Sequence, residues 1–458
     1  MKHIVILGAG AAGLAAAWEL AKHPDIRVTI LEREDRVGGI AITDRLGGSY
    51  IDVGGHRFFS KKPELVALMR EMGARDSLLR TRHRKQRIIY RGRYLSYPIS
   101  LNPKLVRDLG VPTAAAIAVS WLGAVIMPKQ ETSLENFYVN RFGRRLYELF
   151  FRSYTEKVCG MPPSEISPDW GRDRVRGLSI RSILCPKQAE VPQGGMQPDE
   201  FLYPPHGPGQ LWDSVAEQLR EAGIEIRLNS AVSGFRRGAD GSIAAVLTAD
   251  GEIEADFCIS TIPVRTLVRL LGDAPAEIAD TAAGLTSRGF LTAAVLVPRG
   301  AVRNADTDCW VYVQEPEIRM GRFQIYNNWS PELVEREEEN VLLGFEYFSN
   351  PGDGIWELSE QALCGLAVSE AKQAGILAPD AAPIAVKRCC LPDAYPTYGG
   401  TYAQRECVYE WLGGIGNLRC AGRQGLHSYI NMDAVMESGV SAAKACAETE
   451  RTSAAFPL

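Results

Sequence analysis

The sequence lacks the features that mark several large classes of protein. Its 458 residues carry 51 Lys and Arg against 55 Asp and Glu, a formal net charge of −4, so no general basic field favours nucleic acid or an anionic membrane. The 10 cysteines include no C-x-x-C pair, which argues against zinc-type spacing and a disulfide framework. We therefore predict no metal site, no nucleic-acid partner and a reducing, cytoplasmic location.

Long apolar runs are also absent. The longest, residues 111–127, contains Pro112 and is shorter than a helix that spans a bilayer. We expect a buried or interfacial helix there rather than a transmembrane one. The first strand has no apolar signal core ahead of it, so we do not expect secretion. The length of the chain predicts two or three domains.

What the sequence has instead is a glycine turn at its start. The segment HIVILGAGAAGLAAAWEL places a short apolar strand, residues 4–7, directly before Gly8-x-Gly10-x-x-Gly13 and a helix of small residues. Strand, glycine turn and helix in this order are the context of a dinucleotide-binding fingerprint. Gly8 permits the tight turn, Gly10 lets a pyrophosphate approach, and Gly13 lets helix and strand pack closely. The helix N-terminus would then attract the phosphates.

The second strand indicates which dinucleotide is bound. IRVTILERE ends at Glu32, roughly 20 residues beyond the glycines, where a carboxylate can hold the ribose hydroxyls of either NAD or FAD. The continuation EREDRVGGIAITDRLGG carries Gly38 and Gly39 after a basic residue. This tail resembles the second FAD fingerprint of proteins with glutathione-reductase-type domains. We therefore predict FAD as the cofactor.

Later segments supply the remaining parts that a long cofactor needs. GIEIRLNSAVSGFRR predicts strand, turn and strand, with Val232 presenting its backbone to the adenine. ADFCISTIPVRTL predicts a buried strand that ends at Thr261. NLRCAGRQGLHSYINMDAVMESGVSAAKA predicts a strand, a loop and a helix. The N-terminus of that helix, near Met432, would point N–H groups at the flavin carbonyl edge.

Three further motifs carry a more specific resemblance. They are DVGGHRFFSK at 52–61, YTEKVCG at 154–160 with RDRVR at 172–176, and GRQGLHSYINMD at 422–433. Together they resemble the superfamily of amine oxidases, protoporphyrinogen oxidases, carotenoid-type desaturases and UDP-galactopyranose mutases, and they are most similar to the mutase branch. Cys159 stands where the mutases have tryptophan, and Asn431 where they have aspartate. The tyrosine-rich segment that cradles uridine has no clear counterpart, which leaves nucleotide specificity open.

The resemblance implies two catalytic residues and a set of cofactor contacts. His56 would lie over the flavin ring and Arg423 near its polar edge; for His56, a polar loop residue bonded to backbone is the alternative. The predicted cofactor contacts are Gly8, Gly10, Ala12, Gly13, Glu32, Arg33, Gly38, Gly39, Gly54, Gly55, His56, Val232, Thr261, Gly422, Arg423, Asn431 and Met432.

The same resemblance implies a site for an anionic substrate. Arginine suits this role because its planar fork binds phosphate oxygens in pairs. A solvated basic face remains the alternative for the arginines, and ordinary packing for the tyrosines. The predicted substrate contacts are Arg172, Arg176, Tyr395, His427 and Tyr429, of which Arg172 is a weaker candidate and His427 replaces a tyrosine of the mutases.

The predicted fold class is α/β, or α+β overall. A glutathione-reductase-type Rossmann domain that binds FAD would comprise residues 1–65, 205–270 and 405–450. An antiparallel-sheet substrate domain would comprise residues 85–102 and 271–404, and a helical subdomain residues 103–185. The substrate would bind between the sheet, the helices and the flavin.

The predicted activity is an FAD-dependent oxidoreductase that transfers a hydride between flavin N5 and a small anionic substrate, such as a nucleotide- or lipid-phosphate-linked sugar. O2 or NAD(P)H would serve as the redox partner, and a homodimer is compatible with the sequence. The alternative is a UDP-galactopyranose mutase-like ring isomerase in which reduced FAD acts as a nucleophile. A flavin-binding protein without turnover is the third candidate.

Overall fold

The structure is a computed structural model that describes residues 1–97, 107, 109–174 and 191–449. Its strands are β1 Lys2–Leu7, β2 Ile26–Leu31, β3 Thr43–Leu46, β4 Ser49–Asp52, β5 Arg80–His83, β6 Gln86–Tyr90, β7 Arg93–Ser96, β8 Glu200–Tyr203, β9 Glu225–Arg227, β10 Val232–Arg237, β11 Ile243–Thr248, β12 Gly251–Glu254, β13 Phe257–Ser260, β14 Ser287–Pro298, β15 Trp310–Val313, β16 Arg322–Ile325, β17 Asn340–Phe348, β18 Ala385–Pro396 and β19 Leu418–Cys420.

Helices alternate with these strands along the chain. They are α1 Ala11–Leu20, α2 Pro63–Met72, α3 Val111–Ile126, α4 Leu134–Phe150, α5 Arg152–Cys159, α6 Pro168–Arg174, α7 Pro208–Glu221, α8 Val264–Leu271, α9 Ala276–Ala283, α10 Glu360–Gln373, α11 Arg405–Gly413, α12 Gly422–Gly425 and α13 Met432–Glu448. Mixed helix and sheet of this kind confirms the predicted fold class.

A parallel sheet of five strands forms the first layer, in the order β19-β13-β1-β2-β9. All four registered pairings in it are parallel. Residues 4–7 of the central strand β1 are fully buried, because parallel sheets are covered on both faces. The five strands come from the three separate segments assigned above to the FAD domain; the domain boundaries themselves stay a prediction.

Small residues set how closely the first helix packs. A Cβ added at Gly13 would lie 2.0 Å from the carbonyl oxygen of Gly8. A Cβ added at Gly439, in α13, would lie 2.1 Å from the carbonyl oxygen of Ala12. Helix α1 is therefore pressed against the glycine turn on one side and against α13 on the other, and neither position has room for a side chain.

The second sheet has seven strands, in the order β18-β14-β17-β16-β15-β6-β7. A hairpin of β6 and β7 forms one edge of this sheet, with Arg91 (φ 51°) and Gly92 (φ 68°) in the turn. The sequence predicts an antiparallel sheet, and one strand pairing differs from this prediction: β15 pairs with β6 in parallel. These two strands lie far apart in sequence, so no tight turn forces them into antiparallel pairing.

The described part of the helical block comprises helices α3 to α6. Helix α3 covers most of the apolar run, and only Ile117 and Ala124 in it are buried. Val119 and Ile126 are 70% and 76% exposed, so the buried alternative does not hold for most of the helix, and the interfacial alternative stays a prediction. Among the described residues, no helix combines the length and apolar character needed to cross a bilayer.

Candidate active site

One cavity of about 670 Å³ joins the two sheets. It begins at the carboxyl ends of the parallel strands, where ligands of open α/β sheets bind. We call the part lined by Gly8, Glu32 and Val232 the outer end. It continues beneath the second sheet to the part lined by His56 and Trp310, which we call the inner end.

The outer end fits the ADP part of a dinucleotide. Helix α1 begins without a side-chain cap, and its first internal hydrogen bond runs from the N–H of Leu14 to the carbonyl oxygen of Gly10, 2.9 Å. The N–H groups before Leu14 therefore remain available for a phosphate. A Cβ added at Gly39 would lie 3.0 Å from Cα of Gly10. Side chains here would fill the phosphate-binding space beside these glycines, which we call the cradle.

An acidic residue is fixed beside this cradle. Glu32 is 8% exposed and lines the cavity. Its Oε2 accepts a hydrogen bond from the N–H of Ala9 at 2.8 Å, and its Oε1 accepts one from the N–H of Glu34 at 3.0 Å. The carboxylate is thus held in place with capacity left to accept from a ribose hydroxyl.

At the inner end, His56 is positioned by a buried carboxylate. Asp52 is fully buried and accepts hydrogen bonds from the N–H of His56 at 2.7 Å, from Nδ1 of His56 at 2.9 Å and from the hydroxyl of Tyr203 at 2.9 Å. Burial, together with the Asp52 charge, raises the pKa of Tyr203, which stays a donor. Since an ionised carboxylate only accepts, Nδ1 of His56 carries a proton and Nε2 is the nitrogen left for a ligand.

A buried ion pair supports the same region from the second sheet. The guanidinium of Arg322 donates to Glu346, which is fully buried, and to the carbonyl oxygen of Gly54 at 3.2 Å. Burial alone would lower the pKa of Arg322, but the charge of Glu346 raises it above its ordinary value. The charge of this arginine is therefore compensated within the protein.

Two other inner arginines have no such compensation. Arg57 and Arg84 both line the cavity, and no carboxylate of the described residues lies within 4.0 Å of either guanidinium. Nη1 of Arg57 is buried and has no hydrogen-bond partner among the described residues. Burial first, and then the charge of Arg84, lower the pKa of Arg57 to about 10, so Arg57 remains cationic at neutral pH.

Aromatic rings complete the inner wall. Tyr395 and Tyr429 are stacked with ring centroids 5.5 Å apart, and the guanidinium of Arg423 lies 5.0 Å from the Tyr429 ring centroid. Arg423 also donates to the carbonyl oxygen of Ile430, from Nε at 3.0 Å and from Nη2 at 2.8 Å. The hydrogen bonds of this arginine hold the loop that carries Tyr429, which makes Arg423 a positioning residue in this structure.

The cavity brings together nearly all of the predicted cofactor contacts. Gly13 does not line it and serves the packing described above. The other predicted contacts all lie on its surface, namely Gly8, Gly10, Ala12, Glu32, Arg33, Gly38, Gly39, Gly54, Gly55, His56, Val232, Thr261, Gly422, Arg423, Asn431 and Met432.

The predicted substrate contacts are placed less uniformly. Tyr395 and Tyr429 line the cavity, and Arg176 lies outside the described residues. Arg172 does not line it: its side chain is 50% exposed and pairs with Asp169 and Glu131, as the solvated-face alternative expects.

His427 also lies away from the cavity surface. It is 2% exposed, and its Nε2 donates to the carbonyl oxygen of Thr397 at 3.0 Å. Burial lowers its pKa to about 4, so the ring is neutral at neutral pH. A neutral ring whose donor is already satisfied supports the inner wall from behind and offers nothing to an anionic substrate.

Sequence reasoning missed the cations and the carboxylate of the inner end. Arg57 directly follows His56 in the GGHR motif, and Arg84 stands in the basic run RTRHRKQR, residues 80–87. That run was the available signal, but a run of cations is usually a solvated face. Asp52 stands four residues before His56, and no catalytic role was predicted for it; the structure pairs the two side chains.

Comparison with known proteins identifies the relatives of the chain. The family described as flavin containing amine oxidoreductase matches residues 11–447. The coproporphyrinogen III oxidase of Propionibacterium freudenreichii subsp. freudenreichii is 25% identical over 301 residues, which are 55% of this chain and 56% of that protein. The coproporphyrinogen III oxidase of Mycobacterium leprae is 24% identical over 443 residues, which are 90% of each chain.

A solved structure shares the fold over almost the whole chain. Reduced UDP-galactopyranose mutase has a TM-score of 0.81 and 21% identity, covering 98% of this chain and 97% of that one. At this identity the likeness shows the fold alone. The chain spans little more than half the length of the first relative above, at 56%. Together these findings confirm the predicted superfamily, the fold class and FAD as the cofactor.

Proposed function

The chain belongs to the family of flavin-containing amine oxidoreductases, and from this premise we propose that it oxidises a small anionic organic substrate. It is an FAD-dependent oxidoreductase. One observation carries the finer proposal: the cavity continues from the dinucleotide cradle into an inner end lined by Arg57 and Arg84, cations that no carboxylate of the described residues compensates. Such an end attracts an anionic molecule and places it beside the cofactor.

The glycine cradle and Glu32 would hold FAD, and its isoalloxazine ring would supply the hydride-accepting chemistry. The protein supplies orientation and handles the proton. Nε2 of His56 is the acceptor for the proton that an alcohol or amine loses on oxidation. The carboxylate of Asp52, 2.9 Å from Nδ1, would stabilise the imidazolium that results.

The inner wall would orient the substrate through its rings. Tyr395 and Tyr429 offer a stacked pair of aromatic faces, and burial raises the pKa of Tyr395, so its phenol stays protonated. Arg423 keeps the Tyr429 loop in place through its bonds to Ile430. The wall thus provides rigid apolar area with few anionic groups to repel the substrate.

Anaerobic reduction of the bound flavin tests the proposal. The FAD-loaded protein is mixed with a panel of amines, porphyrinogens and phosphorylated sugars, and the visible absorbance of oxidised flavin is followed. We expect one anionic class to bleach the flavin with a saturating rate, and air to restore the colour if O2 is the redox partner. If dithionite bleaches the flavin and no member of the panel does, the proposed oxidation is wrong.

A redox-neutral sugar isomerisation is the second candidate. The mutase-like motif at 422–433 favours it, because that motif contributes Arg423 and Tyr429 to the inner wall. Incubation with UDP-galactose and related sugar nucleotides, with and without dithionite, separates the two candidates. A furanose product formed only after reduction would support the isomerase, and no product from any sugar nucleotide would eliminate it.

A further inference from the structure

Two buried hydrogen-bond donors at the inner end have no acceptor among the described residues, and a third donor group, Arg84, lines the same cavity. Nη1 of Arg57 and Nε1 of Trp310 are both buried and unpartnered among the described residues. Trp310 is 5% exposed and lines the cavity. The guanidinium of Arg57 lies 5.5 Å from the Trp310 ring centroid. Arg84 approaches the same place from the chain segment just before Gln86, which is the registered partner of Trp310.

Buried donors without acceptors are costly for a protein. Each such group loses its bonds to water on burial, and the loss is greater for a charged group. A ligand that accepts hydrogen bonds would remove this cost. Because Arg57, Arg84 and Trp310 offer donors only, the complementary group is an oxyanion.

The charges at the inner end indicate which class of oxyanion fits the site. Of the inner arginines, Arg322 is neutralised by Glu346. Two aspartates line the cavity: Asp393 is paired with Arg265 at 2.6 Å, and Asp173 accepts a hydrogen bond from the hydroxyl of Tyr398 at 2.8 Å. Arg57 and Arg84 therefore present two positive charges. A phosphate monoester carries about −1.5 to −2 at pH 7 and three acceptor oxygens, whereas a carboxylate carries a single charge and two oxygens.

We propose that Arg57, Arg84 and Trp310 form a phosphoryl-binding subsite for the substrate at the inner end of the cavity. The inference rests on the proposed function, which it deepens by naming the anionic group and the residues that bind it. It moves the anion-binding role from the exposed Arg172 to cations that the cavity encloses.

Titration of the oxidised holoenzyme with inorganic phosphate at constant ionic strength tests the subsite. Binding is followed by calorimetry and by the change in the flavin absorbance spectrum. With FAD in place, the cradle at the outer end is filled and cannot account for the signal. We expect saturable binding that Arg57→Gln and Arg84→Gln weaken by about 10- to 100-fold each, since charge-assisted hydrogen bonds are lost. Trp310→Phe keeps the ring, loses one neutral donor and should weaken binding severalfold.

Matched controls separate the subsite from general charge effects. Arg172→Gln removes an arginine that lies outside the cavity and should leave phosphate affinity unchanged. Arg57→Lys keeps the charge and serves if Arg57→Gln fails to retain flavin; it should retain part of the affinity. Absence of saturable phosphate binding, an equal loss in Arg172→Gln, or tighter binding of succinate than of phosphate would each overturn the inference.

The two proposals fail in distinguishable ways. Phosphate binding is measured without turnover, so a negative titration overturns the subsite and leaves the bleaching experiment decisive for the oxidation. Conversely, tight phosphate binding with no bleaching by any substrate supports the subsite and contradicts the proposed oxidation.

Discussion

The two ends of the cavity are built by different means. The outer end is shaped by backbone: glycines at close approach, uncapped N–H groups of α1 and one fixed carboxylate, Glu32. The inner end is shaped by side chains from segments far apart in sequence, such as Asp52, Arg84 and Trp310. The outer end can therefore accept one kind of ligand only, whereas the inner end can be altered by single substitutions without rebuilding the fold.

This difference separates cofactor binding from substrate choice. The backbone cradle sits on the parallel sheet, whose central strand is fully buried at residues 4–7, and its geometry cannot vary without moving a helix. The inner end lies between the second sheet and the helical block, where Arg57 and Arg84 pair with no carboxylate of the described residues. Substitutions at the outer end should therefore abolish flavin binding, and those at the inner end should change affinity or rate.

The largest expected effect tests the rigidity of the outer end. Gly13→Ala places a methyl group 2.0 Å from the carbonyl oxygen of Gly8, so α1 must move away from the glycine turn. We expect destabilisation by about 3 kcal/mol or more, because overpacking of this severity cannot relax locally. We also expect loss of the bound flavin. Denaturant unfolding and the visible absorbance of the purified protein measure the two effects.

A second helical glycine provides the control. Gly365 lies in α10 (Glu360–Gln373), and a Cβ added there meets nothing within 4 Å. Gly365→Ala should retain flavin and gain up to about 1 kcal/mol from helix propensity. If Gly13→Ala also retained its flavin at wild-type stability, the outer end would not be the rigid element described here.

The difference between the outer and inner ends of the cavity also explains which parts of the site could be predicted from the sequence. Gly8, Gly10 and Glu32 lie in one short stretch whose spacing is fixed by local geometry, and Val232 stands in a separate strand, turn and strand motif. Strand, turn and helix bring such residues together without any knowledge of the rest of the chain. The outer end and the parallel sheet were therefore predictable, and all sixteen of the predicted residues enumerated for the cavity surface lie on it.

The inner end depends on tertiary pairing that no local pattern encodes. Arg84 reaches the cavity because β6 pairs in parallel with β15, across more than 200 residues of sequence. Asp52 meets His56 locally, yet its burial depends on Tyr203 from β8. Arg172 was a plausible ligand by motif, and only the structure places it among the acids of the surface.

The second effect in size concerns His427, which lies behind the inner wall. Its pKa falls from 6.5 unfolded to about 4 folded because it is buried. Between these values the unfolded state binds more protons, so stability rises with pH across this window. Lowering the pH from about 7 to 5 should cost roughly 2 kcal/mol through this group alone. Denaturant midpoints at the two pH values, compared between wild type and His427→Gln, measure it.

The His427→Gln variant also distinguishes a role of this residue in protein stability from a role in phosphate binding. Its amide can still donate to the carbonyl of Thr397 but does not titrate in this range. It should show a smaller loss of stability at low pH and the wild-type affinity for phosphate. An unchanged pH dependence would contradict the role of His427 in stability, and a large drop in phosphate affinity would return it to the binding surface.

The smallest expected effect lies at the pair of Asp52 and His56. Asp52→Asn preserves the shape of the side chain but removes the charge and offers His56 an amide that can also donate. The ring can then adopt the wrong tautomer, with the proton on Nε2. We expect flavin content to stay at the wild-type level and the rate of substrate-driven flavin reduction to fall by about 10- to 100-fold. Stopped-flow absorbance at several pH values measures it.

Tyr203→Phe is the matched control for this last variant. It removes one hydrogen bond to the same carboxylate, 2.9 Å long, and leaves the bond between Asp52 and His56 in place. A positioning role for Asp52 requires that Asp52→Asn alter the pH profile of flavin reduction, while Tyr203→Phe lowers stability and leaves the profile in place. Equal losses of rate with unchanged pH profiles would show that the carboxylate only supports the loop, and the inner end would then bind substrate without moving its proton.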